Sequence, residues 1–160
     1  MLKAISNTSP LLYLYRAGAI ELLPNLFGEI WVADAVNDEL KKGREGGYDV
    51  PDLNQYKWLK IVNPTNIPSE WVTIDLGSGE LATIVLAIEN PGFVVLLDDF
   101  PARRKAQAAG LNVWGTLRVL LESKKLGFVE KVEPFINILS DSGMWLSDDI
   151  KKRILTLAKE

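Results

Sequence analysis

Neither cysteine nor histidine occurs in this chain, and the two absences remove much chemistry before any motif is read. Without cysteine there are no disulfides, thiol nucleophiles or thiolate metal sites. Without histidine there is no imidazole general base, no histidine triad and no imidazole-bound zinc. Any metal must be held by oxygen, which points to hard cations such as Mg2+ or Mn2+. Long apolar runs are missing as well: none approaches the ~18 residues of a membrane span, and the N-terminus has no signal-peptide pattern. A soluble, cytoplasmic protein without membrane contact is the expectation. Nor is there an excess of positive charge. The net charge of −3 gives no global attraction to nucleic acid, although Arg103, Arg104 and Lys105 can act locally.

What is present suits one domain over residues 1–160. The chain has 160 residues, 48% of them hydrophobic, enough to bury a real core. Short apolar strands alternate with helical stretches. LKAIS (2–6) is strand-like, and Ser9-Pro10 resembles an N-cap with proline at the first helical position of a helix closed by Gly18. A second short helix is expected from Ile20 to Phe27, with Pro24 as an irregularity. EIWVA (29–33) is β-rich, and Asp34 can cap a helix that Gly43 ends. Residues 44–52 are polar and glycine-rich, the pattern of a mobile loop, and KWLKIV (57–62) returns to strand. The second half repeats the alternation: a turn at 75–79, a helix over 80–89, strand FVVLL (93–97), helix PARRKAQAAG, strand LNVWG and helix LRVLLESKKLG. The remainder is helical, with Ser147, Asp148 and Asp149 capping the last segment. Strands alternating with helices predict an α/β fold, a mostly parallel central sheet covered on both faces.

In such a sheet, ligands bind where strand C-termini and helix N-termini share an edge. Asn7 follows the first strand there, and Asp98 and Asp99 follow FVVLL. Glu80 falls in the first turn of its helix, and Glu39 lies within reach of the same edge. Each has an ordinary use taken singly: caps and turns for Asn7 and Asp98, the helix dipole for Glu80, a solvated surface for Glu39. Together they are costly. Two carboxylates ~4 Å apart repel by about 4 kcal/mol at an effective dielectric near 20. Converging acids call for a cation or for protons, and in a chain without histidine or cysteine a divalent metal is the simpler solution.

The ordered elements ISNTSPL, AVNDEL, DLGSGELATIVLAI and VVLLDDFPARRKAQAAGLNVWGTLRVLL, with the closing GMWLSDDIKKRIL, resemble PIN-like domains, in particular a branch related to the VapC toxins of toxin–antitoxin pairs. The resemblance spans nearly the whole chain. It implies a three-layer α/β/α fold and metal-dependent endoribonuclease chemistry. Carried onto this chain, it implies Glu39, Glu80, Asp98 and Asp99 as catalytic acids, with Asn7, Glu80, Asp98 and Asp99 around a Mg2+ or Mn2+ ion. Thr116 would place a hydroxyl near the metal. Ser9 and Thr116 could hold waters or phosphate oxygens, and Arg103 and Arg104 could contact RNA phosphates. PIN nucleases usually carry aspartate where this chain has Asn7; the amide can coordinate through its carbonyl oxygen but supplies no charge and no base.

Two other readings use the same residues. A PIN-fold binding module that has lost catalysis would be signalled by Asn7. A receiver-like phosphotransfer domain would use LLDD as a phosphoacceptor site, but the first strand ends without an acid pair and no lysine follows a late strand. As partners, the nuclease reading implies an RNA substrate and a cognate antitoxin protein. The apolar stretch LLYLYRAGAIELL carries a surplus stripe suited to a homodimer or an antitoxin helix. The tryptophans at 31, 58, 71, 114 and 145, with Tyr13 and Tyr15, could stack on bases, but most are read as core or interface residues.

Overall fold

The computed structural model describes residues 1–72 and 75–160. Its strands are β1 (Leu2–Ser6), β2 (Phe27–Val32), β3 (Leu59–Ile61), β4 (Val94–Leu96) and β5 (Asn112–Trp114). They form one sheet in the order β3-β2-β1-β4-β5, and every pairing in it is parallel. The helices are α1 (Thr8–Arg16), α2 (Leu22–Leu26), α3 (Asp34–Glu45), α4 (Ser69–Val72), α5 (Ser78–Glu89), α6 (Phe100–Ala108), α7 (Thr116–Lys125), α8 (Glu133–Asp141) and α9 (Asp148–Leu157). None of the described helices is long and apolar enough to cross a membrane.

The unbroken apolar run of β4 and the inner end of β1 follow from burial on both faces. Successive residues point to opposite sides, so Ala4, Val94, Leu96 and Trp114 join one core with α1, α2, α7 and α8. Ile5, Val95, Leu97 and Val113 join the other core, with α5 and α6. The result is the α/β architecture expected from the alternation. β1 lies in the middle, and the chain builds outward to β2 and β3 before crossing back to β4 and β5. The strand order therefore reverses between β1 and β4, which opens a crevice beyond their C-terminal ends.

Several local expectations are corrected. The first helix starts at Thr8, with Asn7 rather than Ser9 at the N-cap. The second is shorter, Leu22–Leu26, and β2 begins at Phe27, before Glu29. Asp34 does not cap α3: Ala33 holds that position. The Asp34 carboxylate instead accepts from Asn63 Nδ2 at 2.6 Å, while Asp34 N donates to Asn63 Oδ1 at 2.8 Å. Gly43 does not end α3, which runs on to Glu45, with Val50 packed 3.3 Å from where a Gly43 Cβ would stand. The loop after it is pinned rather than free. Tyr15 Oη donates to Asp49 Oδ1 at 3.1 Å, Arg16 Nε to Asp49 O at 3.0 Å, and Arg44 Nη1 to Pro51 O at 3.2 Å. Strand pairing covers only residues 59–61 of KWLKIV and 94–96 of FVVLL. The apolar stretch 11–23 is spent inside this chain, with Leu11, Leu14, Ile20, Leu22 and Leu23 all buried.

Candidate active site

Register assembles the site. β1 pairs with β4 through Ser6↔Leu96, and Asn7 N donates to Leu96 O at 3.1 Å. β4 pairs with β5 through Leu96↔Trp114, so Asp98 and Thr116 each stand two residues beyond a matched pair. They meet closely. Thr116 N donates to Asp98 Oδ1 and Thr116 Oγ1 to Asp98 Oδ2, each at 2.7 Å. Burial pushes the Asp98 carboxyl above the ordinary carboxylate range; the two bonds from Thr116 and the nearby Arg103 guanidinium act against that rise. Arg103 Nη1 donates to Leu97 O at 3.0 Å. Gly115 leaves room for this arrangement, since a Cβ there would lie 2.7 Å from Arg103 Nη1 and 3.2 Å from Asp98 Oδ1.

Asp99 does the local structural work that adjacent Asp98 does not. It is the N-cap of α6, accepting from Ala102 N at 3.1 Å, with Pro101 in the first turn. Glu80 accepts from Gly77 N at 3.2 Å at the start of α5. Burial raises its carboxyl above the ordinary range, the Gly77 bond opposes this, and the charges of Asp99 and Glu39 push it further up. Glu39 comes from the middle of α3, where the long side chain spans to two other elements. Its Oε1 accepts from Gly79 N at 3.2 Å and its Oε2 from Thr8 Oγ1 at 2.6 Å. A side chain on Gly79 would run into the Glu39 carboxylate. Glu39 is thus a strut joining α1, α3 and α5 as well as an acid.

Asn7 is 4% exposed, and its Oδ1 is buried with no hydrogen-bond partner. Although it occupies the N-cap position, its side chain makes no capping bond. An orphaned acceptor at the end of the central strand is costly, on the order of 1–3 kcal/mol, and a small hard cation would satisfy it. No group of three acidic side chains among the described residues is placed to hold an ion by itself. A cation at this edge would therefore draw on the amide oxygen of Asn7 alongside the carboxylates of Asp98 and Glu80. The donor set, all oxygen, fits Mg2+ or Mn2+.

Of the other predicted residues, Ser9 and Arg103 line a groove of about 950 Å3 that opens from Asp98 and Asp99. Arg103 faces the acids rather than solvent. Arg104 is exposed, with its guanidinium 5.7 Å from the Phe100 ring, and does not line the groove. Thr116 is fully buried and engaged with Asp98, so its hydroxyl is a carboxylate holder. Tyr13 and Trp145, both among the aromatics that base stacking could use, fall at this groove. Tyr13 lines it beside Asp98; burial first and the Asp98 charge second raise its hydroxyl pKa. Trp145 is 81% exposed at the groove wall and so departs from the core or interface role expected of most of the tryptophans.

The family model for the PIN domain matches residues 3–160, so the chain belongs to the PIN-domain family. No curated protein and no solved structure matches it. PIN domains are generally nucleases that use divalent metal ions, and the chain accordingly carries a nuclease fold.

Proposed function

We propose that this PIN-domain chain is a metal-dependent endoribonuclease whose catalytic edge is formed by Asn7, Glu39, Glu80, Asp98 and Asp99. The observation that carries this reading is the convergence on Glu80 of acids from two other elements, Asp99 and Glu39, on the sheet edge where Asn7 keeps a buried oxygen without a partner.

When bound, a divalent cation supplies a lowered pKa for an attacking water and charge neutralisation at the scissile phosphate. The chain's own residues do the rest. Thr116 fixes both oxygens of Asp98, leaving that carboxylate one orientation toward the edge. Glu80 and Asp98 would hold the ion directly or through water, and Asp99 and Glu39 would complete its shell or orient the attacking water. Asp99 uses Oδ2 to cap α6 and its carboxyl also meets that of Glu80, which ties the start of α6 to the start of α5. Glu39 holds the start of α5 in register with α1 and so sets where Glu80 points. Ser9, at the groove mouth, is placed to donate to a phosphate oxygen. Within this reading the finer assignment is a toxin-like ribonuclease neutralised by a small partner protein. It is supported by the resemblance of the motif order to the VapC branch.

The test exploits Asn7. Restoring the family's usual charge with Asn7→Asp should tighten Mn2+ binding, measured by calorimetry, and raise Mn2+-dependent RNA cleavage. Adding Glu80→Gln should abolish the gain in cleavage, because both act on the same ion. Tighter metal binding with no cleavage by either form would favour the alternative, a PIN-fold binding module. Wild-type cleavage that persists in excess EDTA would defeat the reading outright, since a chain without histidine or cysteine offers no other route.

A further inference from the structure

Beyond the acids, the groove of about 950 Å3 continues between α1, α7 and α9. Its floor is apolar, with Leu117 and Leu121 from α7 facing Ile154 and Leu157 from α9. On the wall, in the loop before α9, stands Trp145. At 81% exposure it forgoes the burial that ordinarily justifies a tryptophan. Trp31, Trp58, Trp71 and Trp114 are all at least half-buried, so exposure of this ring is particular to the groove.

Charge marks the same surface. Arg118, Lys125 and Arg153 line it. The single carboxylate Glu122 answers two of them, at 3.9 Å from Arg118 Nε and 3.4 Å from Lys125 Nζ. Arg153 has no ion pair among the described residues. Asp148 and Asp149, at the start of α9, do not line the groove. Away from Asp98 and Asp99, the groove is thus net positive in a chain whose total charge is −3.

An apolar, aromatic floor edged by cations is what a flexible polyanion with flat apolar faces requires. We propose that this groove seats a single-stranded flank of the RNA, with one base stacked on Trp145 and backbone phosphates facing Arg118, Lys125 and Arg153. A duplex keeps its base faces stacked on one another and cannot use Trp145. A protein helix without acidic side chains would cover the floor but leave the excess positive charge unanswered, and few helix side chains match a base in stacking area on Trp145. The inference rests on the nuclease reading only in supposing that the strand continues into Asp98 and Asp99. Binding itself needs neither metal nor cleavage.

The experiment uses the full chain in EDTA with a fluorescein-labelled oligouridylate, followed by anisotropy over a range of salt. Trp145→Ala should weaken binding roughly 5- to 140-fold, the usual worth of one stacked base, and Trp145→Phe should recover most of it. Lys125→Gln with Arg153→Gln should lower the slope of log K against log salt by about 1.4, two phosphate contacts on a single strand. A duplex of equal length should bind more weakly and ignore Trp145→Ala. Unchanged single-strand binding by Trp145→Ala and by the double variant would overturn the proposal. So would a self-association, seen by light scattering, that Trp145→Ala abolishes while single-strand binding is untouched. Absence of Mn2+-dependent cleavage together with Trp145-dependent binding would overturn the nuclease reading and uphold this one.

Discussion

Thr116→Val tests whether Asp98 is held as described. Thr116 is fully buried, and its hydroxyl gives one of two 2.7 Å bonds to the Asp98 carboxylate. Valine matches threonine in shape, so little packing changes, and its methyl group offers the Asp98 carboxylate no donor in exchange for the hydroxyl. A hydrogen bond to a charged group contributes about 1.5–3 kcal/mol net. The expected loss at neutral pH in EDTA is therefore about 2 kcal/mol, or a fall of roughly 4–8 °C in Tm for a domain of this size.

The pH dependence sharpens the test. Burial already raises the Asp98 carboxyl above its unfolded value. Between those two values the native state binds more protons than the unfolded one, so this group's contribution to stability falls as pH rises. Removing a bond that favours the charged form raises the carboxyl further. The gap between wild type and Thr116→Val should then narrow on acidification, because the bond lost to a neutral carboxyl is worth only about 0.5–1.5 kcal/mol. Thr116→Ser keeps the hydroxyl and should cost only the lost methyl, about 0.8 kcal/mol, with no pH dependence. Urea denaturation of the three proteins at pH 5 and pH 7.5 separates these outcomes. A valine variant no weaker than the serine variant at neutral pH, or a gap that widens on acidification, would refute the reasoning.

Two further outcomes follow from the same electrostatics. Glu80 also has a raised folded-state carboxyl, from burial first and then from Asp99 and Glu39, so metal-free stability should fall as pH climbs above the ordinary carboxylate range. Glu80→Gln should flatten that slope and leave the metal-free protein as stable or more stable at pH 7; thermal melts from pH 4.5 to 8 read this, and a variant weaker at every pH would show that the Gly77 bond outweighs the repulsion. Glu160 is the opposite case: bonds from Lys124 Nζ, Val132 N and Glu133 N overcome burial and hold it down to about 2. Its contribution is present above the ordinary carboxylate range and lost as pH falls through about 2. Glu160→Gln should cost about 1 kcal/mol at neutral pH, the net worth of one hydrogen bond, and the two urea curves should converge near pH 2.

The layers were legible in the sequence because burial on both faces leaves a one-dimensional trace. FVVLL has no polar side chain to turn toward water, and LKAIS has none between Lys3 and Ser6. Boundaries were less legible because distant partners decide them. Gly43 stays helical beneath Val50, and Asp34 gives up capping for Asn63, 29 residues on. The pair Asp98-Asp99 shows the same limit at one step of the chain. Both were visible as acids after a strand, but which one caps α6 and which meets Thr116 depends on the register Leu96↔Trp114. Arg103 illustrates it again. A basic residue in the first turn of a helix reads as a surface contact, yet this one turns back to Leu97 O and Asp98 because Gly115 leaves the space.

Asn7 brings these strands of reasoning to one atom. Its type is visible in the sequence as a missing charge, and by itself that favours loss of function. Its environment points the other way. An asparagine kept only as a helix cap would use its side chain on the backbone of α1, and this one does not. An asparagine drifting after loss of a metal site would be expected to find a donor or reach water, yet its Oδ1 is buried without a partner. Thr116 meanwhile still commits two bonds to Asp98, and Glu39 still positions Gly79 beside Glu80. A buried oxygen without a partner costs stability, and the divalent cation proposed above would satisfy it. On that proposal Asn7 changes the charge of the site and does not mark its abandonment.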